Sequence, residues 1–301
     1  MRGTMSVKSL ALCALLAAAT ASAQERVDER RVAAADATVV IEAGGGSVRV
    51  VGWEKAEVTV TGTLGADSQR VEVRGDRRKL RIEVVPERHD HPGAADLEIH
   101  VPAGSRVEVE SFQAALDVEG VTGSVRAETV NSSITFTGTA DDVRLESVNG
   151  GVSVRGRSAR INVESVNGPV DVSDPGGDLQ AGTVNGPLRV SGALGLARGR
   201  LESVNGRVTF EGKLAARGAL DIENVGGGVD LAISSPADYR VSTFNGAIVN
   251  EIGPAPQAVH GHDEEDDDET PGKELTFSAG SGGARVTVTT LNGRVRIMKG
   301  R

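Results

Sequence analysis

Apolar and polar residues alternate along most of this 301-residue chain, and in its middle they do so in step with a repeated turn. Counting from Asn131, Asn149, Asn167, Asn185 and Asn205, the third residue onward is Ile134, Val152, Val170, Leu188 and Val208. The fifth is Phe136, Val154, Val172, Val190 and Phe210, with polar residues such as Thr135, Ser153, Asp171 and Arg189 between. Apolar residues two apart predict a half-buried strand after each asparagine. Ahead of each asparagine, Ala127, Leu145, Val163, Ala181 and Leu201 stand four residues back, and Val125, Val143, Ile161 and Leu179 six back. A second inward-facing strand is therefore expected on that side.

Continuing this alternation turns Thr129, Ser147, Ser165, Thr183 and Ser203 inward, yet Val130, Val148, Val166, Val184 and Val204 follow directly. Two adjacent inward residues predict a bend or bulge. The Asn-Gly pair that comes next suits a turn with positive φ, which glycine adopts freely and asparagine tolerates.

The turn recurs as Glu-Ser-Val-Asn-Gly at 146–150, 164–168 and 202–206, with Gly-Thr-Val-Asn-Gly at 182–186. Gly226 takes the asparagine place further on, then Asn245 and Asn292. An antiparallel meander or propeller would gain nothing from so regular a spacing. Identical coils let each residue type stack on its own kind, so the pattern predicts an all-β, single-chain parallel β-helix or solenoid of roughly 18 to 21 residues per coil. Right-handed winding follows from the general handedness of parallel crossovers. The seven asparagines would then form one row, their amides bonding from coil to coil.

The chain divides accordingly. Residues 1–23 read as a signal peptide: Arg2 and Lys8, an apolar run from Leu10 to Ala19, and an Ala21-Ser22-Ala23 cleavage site. That run is too short to span a bilayer, and it contains the only cysteine, Cys13. Residues 24–32 form a charged, mobile lead-in and 33–105 an irregular β region capping one end. Regular coils occupy 106–253, an acidic disordered insertion 254–272, and a closing coil 273–301. The insertion is marked by Pro254, Pro256, Pro271 and the run Asp263 to Glu269.

Charge and chemistry narrow the function. The net charge of −9 falls to about −11 once the leader is removed, which argues against nucleic acid as a partner. An exported chain without further cysteine relies on burial and backbone pairing. No hydrolase elbow, Walker loop or dinucleotide fingerprint occurs, and Gly44-Gly45-Gly46-Ser47 reads as a tight turn. His89-Asp90-His91, and His260 and His262 beside Asp263 and Glu264, are weak metal candidates set against solvated loops. Glu128, Glu146, Glu164, Glu202 and Glu223 form an outward column, a possible interaction surface or cation row, with Arg126, Arg144 and Arg200 close enough to offset it. Asp171 and Asp230, outward and expected on neighbouring strands, are the acid/base candidates of a glycan-processing alternative. Two carboxylates alone do not make such a site, and Trp53 and Tyr239, the single residues of their kinds, leave little aromatic surface for a sugar.

The Glu-Ser-Val-Asn-Gly units, Val101-Pro102-Ala103-Gly104-Ser105, Gly46-Ser47-Val48-Arg49-Val50 with Gly52-Trp53, and Leu291-Asn292-Gly293-Arg294-Val295-Arg296-Ile297 resemble the bacterial putative-adhesin β-strand-repeat family. The resemblance covers most of residues 33–301 and implies an extracytoplasmic β-solenoid of the cell envelope. It also implies a non-enzymatic adhesin or scaffold with no cofactor, whose partner is an envelope protein or polysaccharide. It supplies no catalytic residues, and the acidic insertion departs from its pattern.

Overall fold

The computed structural model describes residues 25–65, 67–88, 92–258 and 272–300. The leader at 1–23, His89 to His91, and the metal candidates His260, His262, Asp263 and Glu264 lie outside the described residues. The described chain is all-β, without a helix. Its first part holds β1 (Arg26–Val32), β2 (Thr38–Ala43), β3 (Gly45–Trp53), β4 (Glu57–Leu64), β5 (Ser68–Gly75), β6 (Lys79–Pro86) and β7 (Ala94–Pro102). Short strands follow in pairs: β8 (Arg106–Ser111), β9 (Ala115–Glu119), β10 (Ser124–Thr129), β11 (Ile134–Thr137), β12 (Asp142–Ser147), β13 (Val152–Arg155), β14 (Arg160–Ser165), β15 (Val170–Ser173) and β16 (Asp178–Thr183). Two long strands come next, β17 (Leu188–Ser203) and β18 (Val208–Asn224). The last are β19 (Val229–Ile233), β20 (Ala237–Thr243), β21 (Ile248–Asn250), β22 (Gln257–Ala258), β23 (Lys273–Ala279), β24 (Ala284–Thr290) and β25 (Val295–Lys299).

Each regular strand pairs in parallel with the strand two before it and two after it. Ala127 lies opposite Leu145, Leu145 opposite Val163 and Val163 opposite Ala181, while Ile134, Val152, Val170 and Leu188 follow one another in the second stack. The chain thus climbs coil by coil through two stacks of strands, one ahead of the asparagine and one after it. The facing apolar columns fill the space between. Leu145, Ile161, Ile134 and Phe136 are wholly buried, as the two-residue alternation requires.

The two long strands absorb the departures from the 18-residue spacing. In β17 the register with β18 shifts around Leu194 and Leu196. Gly199 occupies a core position there, and a Cβ on it would stand 2.8 Å from Leu196 Cδ2 and 2.8 Å from Leu220 Cδ1. Leu196, fully buried, fills from the bulge the space that a larger residue at 199 would have taken.

Both ends differ from the expected organisation. Residues 24–32 carry β1, which pairs antiparallel with β4 along its whole length and buries Val27. Alternation of Val27 with charged residues is enough to cover an edge that β4 would otherwise leave open. Residues 33–105 contain two complete coils, β2 with β3 and β6 with β7, and β2 and β3 pair in register with β8 and β9. The spacing looks irregular there because β4 and β5 leave the stack between those coils and fold back antiparallel on β7 and β6.

The order of coils is also exchanged at each end. The coil β2/β3 lies inside β6/β7, and β24/β25 lies between β18/β19 and β20/β21. The segment 273–301 therefore closes the chain without being the outermost coil. That place belongs to β20/β21, over which β23 and then β22 fold antiparallel.

Candidate functional site

The turn explains the surface above it. Ser147, Ser165, Thr183 and Ser203 are buried, as alternation demands, and each hydroxyl accepts a hydrogen bond from the backbone N–H three residues on. Thr243 and Thr290 do the same. Such a side-chain bond closes a turn locally. The next residue then points outward, so the valines that adjacency to a buried residue suggested were inward face solvent, with no bulge. Phe112, Val130, Val148, Val166, Val184, Val204, Val225, Leu291 and Phe244 stack in this order as one ridge. Apart from the half-buried Val130, its members are 37–52% exposed.

The asparagines stand beyond the ridge and bond through their amides: Asn149 to Asn131, Asn167 to Asn149, Asn185 to Asn167, each 2.7 to 2.8 Å. Asn205 donates to Asn185 and Asn245 to Asn292, and Gly226 leaves a gap between these two groups. Neither the asparagines nor the glycines after them have the positive φ expected of the pair. Glycine is required by crowding instead: a Cβ on Gly168 would lie 2.0 Å from the Gly150 carbonyl oxygen, and one on Gly186 1.9 Å from that of Gly168.

On the other side of the ridge stand Glu128, Glu146, Glu164, Glu202 and Glu223, exposed or half-buried, with Gly182 between Glu164 and Glu202. Glu110, Glu42 and Glu83 extend the column. Sequence reasoning missed these three because their coils lack an asparagine; their signal is the place directly after inward Val109, Ile41 and Ile82. Arg126 pairs with Glu128, Arg144 with Glu146, and Arg200 with both Glu202 and Glu223. Hydrogen bonds donated to Glu128 and Glu202 hold the Arg126 and Arg200 guanidinium groups above their usual pKa. Arg81 pairs with Glu42. Glu164, whose neighbour two residues back is Asn162, carries no ion pair among the described residues.

Ridge and column enclose a groove of about 1180 Å³ that runs along the stack from Glu110 to Phe244, with the buried hydroxyls as its floor. A smaller depression of about 400 Å³ lies where the amide row breaks, between Arg207, Gly226 to Gly228, and Arg294. No group of three metal-ligating side chains occurs among the described residues. Asp171 and Asp230 are not on neighbouring strands: Arg189 and Thr209 separate them in the stack. Three rises of about 4.8 Å put them about 14 Å apart, beyond the roughly 5–9.5 Å that glycosidase carboxylates span. Each is paired with an arginine, Asp171 with Arg189 at 3.8 Å and Asp230 with Arg207 at 2.8 Å.

No protein-family model matches the chain, and no curated protein does. It is similar to the crystal structure of a putative adhesin from Parabacteroides distasonis, at 13% identity and a TM-score of 0.42, covering 92% of this chain and 98% of that one. A putative adhesin from Bacteroides fragilis matches at 11% identity and a TM-score of 0.42, covering 91% and 97%. A putative cell adhesion protein from Clostridium sporogenes matches at 11% identity and a TM-score of 0.25, covering 91% and 99%.

Proposed function

We propose that this chain is an exported, right-handed β-solenoid that acts without catalysis, as an adhesin or envelope scaffold, and that the groove is its binding surface. The observation that carries this reading is the unbroken ridge of nine apolar side chains beside the glutamate column. Soluble proteins rarely leave so continuous an apolar strip open unless something covers it. Beneath seven of the nine, all but Val130 and Val225, the hydroxyl of the preceding residue closes the turn, so the exposed side chain is not what holds it together. The two outward aspartates are too far apart to share a scissile bond, which supports a binding role over glycan processing.

The test is capture of the mature chain, residues 24–301, by isolated envelope fractions, with and without EDTA. Val166→Lys places a charge in the ridge, and Ser153→Lys places one on the outward face of β13 as a control. Capture lost in the first and kept in the second is expected, with EDTA without effect. Equal capture by both variants removes the groove from the reading. Loss with EDTA alone makes the protein a cation-dependent binder of envelope glycans.

A further inference from the structure

The groove crosses the strands instead of following an edge. Its flanking backbone is already used: the N–H of Val148, Val166 and Val184 bonds to the coil before, and so does that of the asparagine after each. An occupant therefore cannot join as an added strand and meets side chains alone. One wall offers carboxylates and the other apolar side chains, the cation Lys273 enters only at the end beside Phe244, and the floor hydroxyls of Ser147, Ser165 and Thr183 are committed to their turns. The arginines on the acidic wall are two residues further back and already paired with glutamates. Such a surface accepts hydrogen bonds and covers apolar groups, which fits a cationic partner with an apolar side.

Spacing narrows the partner further. Coils repeat every about 4.8 Å, so Glu128, Glu164 and Glu202, on alternate coils, recur every about 9.6 Å, and the gap at Gly182 falls outside this series. A polyproline II helix rises about 3.1 Å per residue and returns a side chain to the same face every three residues, about 9.3 Å. An α-helix returns after about 5.4 Å, which drifts out of step with either one or two coils. An extended strand returns after about 6.8 Å and fits neither.

We infer that the groove takes a polyproline II segment of another polypeptide, with lysine or arginine at every third position and proline or small apolar residues between. Its cations meet Glu128, Glu164 and Glu202 while the intervening residues cover the valine ridge. Of these three, Glu164 alone carries no ion pair among the described residues, and it is the central contact. This inference rests on the groove being the binding surface, and it names what that surface binds.

Labelled (Lys-Pro-Pro)4, (Glu-Pro-Pro)4 and (Lys-Pro-Pro-Pro)3 test it by fluorescence anisotropy with the mature chain at low and high salt. The first peptide should bind, more weakly as salt screens the carboxylates. The acidic peptide should not bind, and the four-residue spacing should bind about tenfold less tightly because successive lysines rotate away from the wall. Glu164→Gln should weaken the first peptide several-fold, Val166→Lys should abolish it, and Ser153→Lys should leave it unchanged, with circular dichroism confirming that each variant folds. Equal affinity for both lysine spacings reduces the effect to diffuse charge attraction and overturns the inference. So does a dimer in sedimentation that Val166→Lys breaks, since the occupant is then a second copy. Should (Lys-Pro-Pro)4 fail to bind while Val166→Lys still abolishes envelope capture, the partner class is wrong and the groove reading stands. If Val166→Lys leaves capture intact, both fall.

Discussion

Asn205 donates its side-chain amide to Oδ1 of Asn185 at 2.9 Å although 20 residues separate them, where the asparagine pairs before them are 18 apart. The additional residues bulge out within β17, and the row keeps its register. Asn167 both donates and accepts in this row, so Asn167→Ala should cost about 1–2 kcal/mol, two modest hydrogen bonds at a solvent-exposed site. Gly226→Asn should act oppositely. Its side chain would start 3.4 Å from the Val204 carbonyl oxygen and 3.5 Å from Asn205 Oδ1, in a place that completes the row, and a gain of about 0.5–1 kcal/mol is expected. Urea unfolding of both variants measures this, and two shifts of the same sign would refute it.

Two glycines should respond to alanine for different reasons. At Gly168 the added methyl meets the Gly150 carbonyl at 2.0 Å, so Gly168→Ala must push two coils apart and should cost at least about 1–3 kcal/mol. At Gly195 nothing lies within 4 Å, but φ is +92°. There the cost is backbone strain confined to the bulge, about 1 kcal/mol. Thermal unfolding should rank Gly168→Ala as the less stable, and its amide exchange should quicken in the coils on both sides.

Tyr239 is the single tyrosine of the chain. It stacks on Phe277 with ring centroids 4.7 Å apart, and burial pushes its pKa from 10.0 up to about 12. The folded state favours the protonated phenol, so this contribution to stability is complete below the ordinary value and is lost as pH rises through about 12. Tyrosinate absorbance of the native protein should rise near pH 12, and that of the chain in guanidinium near 10. Phe277→Ala should lower the native midpoint. A native midpoint equal to the unfolded one would show the ring to be open to water.

Ala258 and Lys273 are register partners where β22 meets β23. Replacing residues 259–272 by an Asn-Gly turn should therefore join two strands already side by side. A single cooperative unfolding transition, within about 0.5 kcal/mol of the parent, is expected. A broadened or lost transition would mean that the insertion holds the end of the stack together.

Much of this arrangement is legible because a period of two within a coil and 18 between coils leaves few choices. Ile134, Leu145 and their counterparts had to face inward, and Glu128 and Glu146 outward. The valines were misread because their apolar character outweighed the alternation that placed them outside. A ridge of valines looks like core to any reading that ignores the residue before it. The glycine after each asparagine is a matter of contact between coils, which no single turn reveals. Exchange of the end coils has no local signal, since β2 presents the same parallel edge to β6 as to β8, and register alone does not say which neighbour comes next in the chain.

That exchange governs when the molecule can be finished. The outermost coil β20/β21 rests on β24/β25, so it has no floor until the last strands of the chain have emerged and slipped beneath it. At the other end β2/β3 is made first but becomes interior once β6/β7 arrives. A middle coil rests only on the coils before and after it in the chain, while each end depends on strands from two separated stretches of sequence. A chain threaded through a membrane from its amino terminus would hold its stack open until translocation is complete.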